Sequence, residues 1–206
     1  MPEGGKIKAL KFSMEVGRDM SRIAVFLATG FEEIEGLTVV DLCRRAGIEV
    51  DTVAVTKEDG EGACYVTGSH GITVRADMAL DEVDFDGLDM IVLPGGMPGT
   101  RNLEACTPLM EKLDTFYKAG KCISAICAAP SIFGHRGYLE GRNACAYPGF
   151  EKELAGAKVS ASPVEISDHI TTSRGLGTAI PFALAIVERF CGSDKAEELA
   201  KSVVYR

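Results

Sequence analysis

The sequence predicts an α/β protein in which a mainly parallel sheet is covered by helices on both faces. Three observations carry this. Apolar runs of strand length alternate with segments of helical period almost throughout. Some runs, such as "RIAVFLA" and "DMIVL", are continuously apolar, as strands buried on both faces are. No internal repeat, low-complexity tract or linker divides residues 20–206, which read as one domain.

The elements follow in order. Arg22–Ala28 is a buried strand. "EEIEGLTVVDLCRRAG" has helical spacing at Ile34, Leu37 and Val40, and Gly47 stands where a helix C-cap belongs. Ile48–Val55 alternates apolar and polar, as a half-buried strand does. Residues 56–76 carry Gly60, Gly62, Gly68 and Gly71 around short β-like pieces and read as a small hairpin. Asp89–Gly96 is a buried strand ending in a glycine turn. "TPLMEKLDTFYKAG" is an amphipathic helix, "KCISAI" the next strand, and Ala128 opens the helix after it. "EISDHITTSRGLGT" reads as one late strand and a glycine turn. "AIPFALAIVERFCG" is a strongly apolar helix, and "SDKAEELAKSVV" closes the chain as a polar one.

Residues 1–19 differ from the rest, being short of apolar period and charged. Two readings stand: a poorly ordered extension, or a translation start assigned upstream of a native Met20. Purine-rich codons for Glu15–Arg18, resembling a ribosome-binding site, favour the second. N-terminal sequencing of the native protein that returned Met1 or Pro2 would remove it.

Composition narrows the function. The 206 residues carry a net charge of -8, which argues against nucleic acid, because phosphate binding needs a basic stripe. No run of 18 apolar residues suggests a membrane span. The seven cysteines, Cys43, Cys64, Cys106, Cys122, Cys127, Cys145 and Cys191, show no C-x-x-C or Cys/His zinc spacing. No metal and no cofactor is expected. With no secretory leader in the first 20 residues, the setting expected is reducing and cytoplasmic, with free thiols.

In a parallel sheet, ligands gather at the carboxyl ends of strands. Three such ends are chemically loaded: "LATGFEEIE", "LPGGMPG" and "SAICAAP". Cys127 closes the third. A cysteine at a strand-to-helix turn faces unpaired amides and the positive helix end, which favour thiolate. The sharp turn lifts its side chain above the sheet. On position alone, nucleophile and small buried hydrophobe weigh about equally. Cys122, at the other end of the same strand, is the packing counterpart.

A thiol nucleophile usually works with a base. His135 lies eight residues on, roughly 12 Å along a helix, and cannot reach the sulfur. His70 and His169 are not placed by the sequence, and all three histidines read as surface or structural residues. A carboxyl group is the other candidate, from Glu32, Glu33 or Glu35. Acidic residues at a helix start are also expected simply as dipole partners. Periodicity does not choose among the three.

"ATGFEEIEGLTVVDLCRRAGIEV", "VLPGGMPGTRNL", "AICAAP" and "TSRGLGTAIPFALAIVE", in that order, resemble the ThiJ/PfpI superfamily. The nearest likeness is to its branch of Parkinson-disease-associated deglycases and bacterial ThiJ-like proteins. The resemblance runs from about Met20 to the C-terminal helix. It implies a flavodoxin-like three-layer sandwich and a homodimer. The family's reactive cysteine matches Cys127 and its glutamate partner matches Glu35, leaving Glu32 and Glu33 as capping or surface residues. Two backbone oxyanion donors match Gly96 and Ala128. It also implies cofactor-free conversion of small aldehydes or dicarbonyls, such as methylglyoxal, to hydroxy acids, or deglycation. A redox-sensing or chaperone role with Cys127 oxidised to sulfinate is the alternative.

The sequence departs from relatives in places. Where some carry a histidine twenty residues after the cysteine, Tyr147 stands, as a pocket residue or as packing. Ala128 stands where the peptidase branch has histidine, which counts against proteolysis. No His-x-Glu pair of the glutamine amidotransferase type follows, since Ile170 and Thr171 come after His169. No phosphate loop supports a thiamine-biosynthetic role.

Overall fold

The computed structural model describes residues 20–55 and 64–205. The reading of residues 1–19, and the first part of the hairpin reading at 56–63, lie outside the described residues. In chain order the strands are β1 (Arg22–Leu27), β2 (Glu49–Ala54), β3 (Tyr65–Thr67), β4 (Thr73–Arg75), β5 (Met78–Ala79), β6 (Met90–Leu93), β7 (Cys122–Ile126), β8 (Asn143–Ala144), β9 (Lys158–Val159), β10 (Val164–Ser167) and β11 (Ile170–Ser173). The helices are α1 (Glu33–Ala46), α2 (Gly99–Ala105), α3 (Thr107–Ala119), α4 (Pro130–His135), α5 (Ala179–Cys191) and α6 (Ser193–Ser202).

Seven strands form one sheet in the order β10-β11-β7-β6-β1-β2-β5. All neighbours are parallel except the edge pair β10–β11. Consecutive side chains on a strand face opposite ways, and β1 divides accordingly. Ala24 and Phe26 pack with Leu103 of α2, Leu113 of α3 and Phe133 of α4 in one core. Ile23, Val25 and Leu27 pack with Val39 of α1, Phe182 of α5 and Leu199 of α6 in the other. The sheet is therefore the middle layer of three, as predicted. Gly47 ends α1 in the left-handed region (φ 91°), where its N–H reaches the carbonyls of Arg44 and Cys43.

Three elements differ from the sequence reading. "EISDHITTS" is an antiparallel hairpin, β10 and β11, rather than one strand. Its turn has no glycine or proline to announce it; Asp168 takes the left-handed conformation instead (φ 57°), which Asp tolerates better than most residues. The seven-residue α2 has no apolar period and was not predicted. The helix after β7 begins at Pro130, not at Ala128.

Parallel pairing brings the carboxyl ends of β1, β6, β7 and β11 to one edge as neighbours. Phe31–Glu35, Gly95–Gly96, Cys127–Ala128 and Arg174–Leu176 follow directly from those ends.

Candidate active site

Cys127 directly follows β7 and is a non-glycine residue in the left-handed region, with φ 66°. Such a conformation costs roughly 1–3 kcal/mol and persists only where its surroundings impose it. Here two backbone bonds do so. The Cys127 N–H donates to the Ser173 carbonyl at 3.0 Å, and its own carbonyl accepts from the Tyr147 N–H at 2.8 Å. The turn points the sulfur off the sheet toward the loop after β6.

Glu35 lies in the first turn of α1 and is 1% exposed. Its Oε2 accepts from the Gly95 N–H at 3.0 Å. A methyl group on Gly95 would sit 2.5 Å from Cys127 Cβ, 2.7 Å from Glu35 Oε2 and 2.9 Å from the Ile126 carbonyl oxygen. Only glycine fits there, and its missing side chain is what lets the thiol and the carboxyl meet. Gly96 (φ 89°) is equally confined, since a Cβ would lie 2.3 Å from the Glu32 nitrogen.

The electrostatics are those of one coupled pair. Burial, the largest effect, raises Glu35 from 4.5 to about 7, against hydrogen bonds from Cys127 and the amides of Gly95 and Leu176. Burial first, then the charge of Glu35, pushes Cys127 up to about 12, while the Gly96 and Ala128 amides pull it down. The expected fall in the thiol's pKa is therefore not the net result. Helix α4 has only six residues and starts three positions after Cys127, whereas the buried carboxyl is adjacent. Ionising both groups would set two negative charges side by side, so each raises the cost of ionising the other.

The structure thus brings Cys127, Glu35, Gly96 and Ala128 together. Tyr147 also arrives: its backbone braces Cys127, and its half-exposed ring lies 3.2 Å from where a Gly175 Cβ would be. The sequence reading missed Gly95 and the Leu176 amide; the "GG" of "LPGG" was the available signal for the first. Glu33 corrects that reading. It is not a surface residue but 1% exposed, tied to His70, and its carboxylate also accepts from its own N–H at the start of α1.

The histidines stand elsewhere. His135 bridges Glu104 (2.6 Å) and Glu153 (3.0 Å), and the His169 ring lies tilted against Tyr117, with centroids 5.5 Å apart. Cys122 lies at the opposite end of β7, 3.7 Å from the Arg189 guanidinium. Surface grooves of about 600 Å³ (Ile34, Leu37, Ile180, Val203) and about 520 Å³ (Val55, Leu80, Val83, Phe85) contain no cysteine or histidine. The chemistry is concentrated at the strand ends instead.

Comparison with known proteins agrees with this architecture. The sequence profile of the DJ-1/PfpI family matches residues 21–189. The chain belongs to the DJ-1/PfpI family. Protein DJ-1 homolog B of Arabidopsis thaliana is 35% identical over 201 residues, covering 97% of this chain and 45% of the relative. The chain thus spans about half the length of that plant protein. Glutathione-independent glyoxalase DJR-1.2 of Caenorhabditis elegans is 36% identical over 171 residues, covering 82% of this chain and 88% of the relative. Among solved structures, oxidized Toxoplasma gondii DJ-1 superposes with a TM-score of 0.82 at 35% identity. It covers 89% of this chain and 98% of that one. This DJ-1/PfpI domain therefore shares its sheet and helical layers with proteins of the DJ-1 group. No helix among the described residues is long and apolar enough to cross a membrane.

Proposed function

We propose that this chain is a cofactor-independent cysteine enzyme acting on small reactive dicarbonyls, with methylglyoxal converted to lactate as the model reaction. The observation that carries the reading is the pairing of Cys127 with a buried Glu35 held near neutrality. The relative named as a glutathione-independent glyoxalase supports the same class.

The residues support a balanced sequence. The Cys127 proton passes to Glu35 as sulfur attacks the aldehyde carbon, forming the C–S bond of a hemithioacetal. The Gly96 and Ala128 amides receive the developing oxyanion. Glu35 hands the thiol's proton on to that oxygen, which completes the hemithioacetal hydroxyl and restores the carboxylate. The carboxylate then takes the hydrogen of that carbon as a proton and returns it to the neighbouring carbon, while the hydroxyl proton passes to the former ketone oxygen. The first carbon is oxidised to a thioester and the second is reduced from ketone to alcohol, so no external oxidant is consumed. Water cleaves the C–S bond, releasing lactate and the thiol. The test is lactate formation from methylglyoxal by the purified protein without glutathione, with Cys127→Ala expected to abolish it.

A second reading has its own support. Cys127 is partly exposed, its neighbour Glu35 keeps a proton up to about pH 7, and two amides face the sulfur. That arrangement would hold a sulfinate, and a solved relative is described as oxidized. Mild peroxide is then expected to add two oxygens to the Cys127 peptide before any other cysteine peptide, read by mass spectrometry. Oxidation spread evenly over the seven cysteines would contradict this reading.

A further inference from the structure

The start of α1 and the tip of the β3–β4 hairpin bring together four donor atoms that the proposed reaction does not use. His70 Nδ1 lies 3.0 Å from Glu33 Oε2 and 3.3 Å from Glu32 Oε2. Ser69 Oγ lies 3.2 Å from Glu32 Oε2, 3.4 Å from Glu33 Oε2 and 3.1 Å from His70 Nδ1. The glutamate and histidine donor atoms all fall within 4.8 Å of one another. Five of the six separations among the four atoms therefore lie between 3.0 and 3.4 Å. Pairing two hydrogen-bond donors with two acceptors needs only two such separations. A tetrahedral ion with bonds of about 2.0–2.1 Å sets its donors about 3.3–3.4 Å apart on every edge.

The surroundings have the form of a prepared site. Glu33 is 98% buried at its side chain, and its other oxygen, Oε1, accepts from the His70 N–H at 2.8 Å and the Ile72 N–H at 3.3 Å. Those bonds aim Oε2 at the cluster, as outer-shell bonds aim metal ligands. A methyl group on Gly68 would lie 2.3 Å from the Glu33 carboxyl, so the hairpin is shaped around that carboxylate. Ser69 and His70 are exposed and give an entry path. One imidazolium can offset only one of the two carboxylate charges.

We infer that Glu32, Glu33 and His70, with Ser69 as fourth donor, form a binding site for a divalent transition metal of the zinc class. The nitrogen and oxygen donor set suits such ions. His70 would bind through Nδ1 with its proton on Nε2. Glu33 and His70 are 37 positions apart, so no local ligand spacing in the sequence marks the site. The inference is independent of the chemistry at Cys127.

Because seven thiols could compete for zinc, the probe is Co²⁺, whose spectrum separates sulfur from nitrogen and oxygen ligation. Titration of the purified full chain is expected to give one Co²⁺ per chain, with tetrahedral visible bands and no thiolate charge-transfer band. Cys127→Ser is expected to give the same spectrum. His70→Ala is expected to weaken binding by more than the roughly 10–100-fold that outer-shell changes cost. Glu32→Gln, which leaves the buried Glu33 in place, supplies the same comparison should His70→Ala not fold. Three results would overturn the inference: no visible band at stoichiometric Co²⁺, a band unchanged in both variants, or a band lost in Cys127→Ser. The first would leave the cluster as an ion-pair clasp between hairpin and helix.

Discussion

Glu35→Gln is expected to lower kcat/KM for methylglyoxal by about 10²–10⁴-fold, the usual contribution of a positioned acid–base group. The wild-type kcat/KM should rise with pH through about 7 as Glu35 ionises and becomes able to take the Cys127 proton. The variant should lack that limb. Stability should move the opposite way. Glu35's folded pKa lies above its ordinary 4.5, so the unfolded chain gives up this proton first as pH rises. Its contribution is fully present below pH 4.5 and is lost as pH climbs to about 7, a change on the order of 3 kcal/mol. Glutamine does not ionise and removes this loss. Denaturant unfolding of both proteins at pH 4 and pH 8 reads it: the variant should gain on wild type at the higher pH. A difference independent of pH would mean that Glu35 ionises freely and is not the buried partner described.

Gly95→Ala is expected to disable the same pair with both residues of the pair left unsubstituted. The added methyl meets Cys127 Cβ, Glu35 Oε2 and the Ile126 carbonyl oxygen at less than 3 Å. Overpacking of this kind costs about 1–3 kcal/mol of stability, and displacing reacting groups by about 1 Å costs on the order of 10²-fold in rate. Gly177→Ala is the control. That residue lies two positions past Gly175, and a methyl there meets nothing within 4 Å. Equal turnover in the two variants would show that the close approach over Gly95 is not what makes the site.

Much of the fold was legible because burial on both faces leaves a strong mark. The apolar runs at β1, β6 and β7 have it, and Gly47 marks the end of α1. The hairpin of β10 and β11 escaped because its turn rests on Asp168, a residue that the alternating pattern passes over. Helix α2 escaped because Gly99, Thr100 and Asn102 give it no apolar stripe. At the site, position singled out Cys127 but weighed nucleophile and buried hydrophobe about equally, and Gly96 and Ala128 came from resemblance. The choice of Glu35 among three acids came from resemblance, and its burial against Gly95 supplies the physical reason. Glu33 was misread because its partner, His70, lies far along the chain. The thiol's ionisation was misread because a helix start is visible in sequence, whereas a buried carboxyl from another strand end is not.

The central claim is that the Cys127–Glu35 pair performs carbonyl chemistry unaided. Lactate formation from methylglyoxal without glutathione, measured for wild type beside Cys127→Ser, tests it most directly. The predicted result is turnover by wild type and none above background by the variant. Equal lactate from both proteins, or none from either, would contradict it.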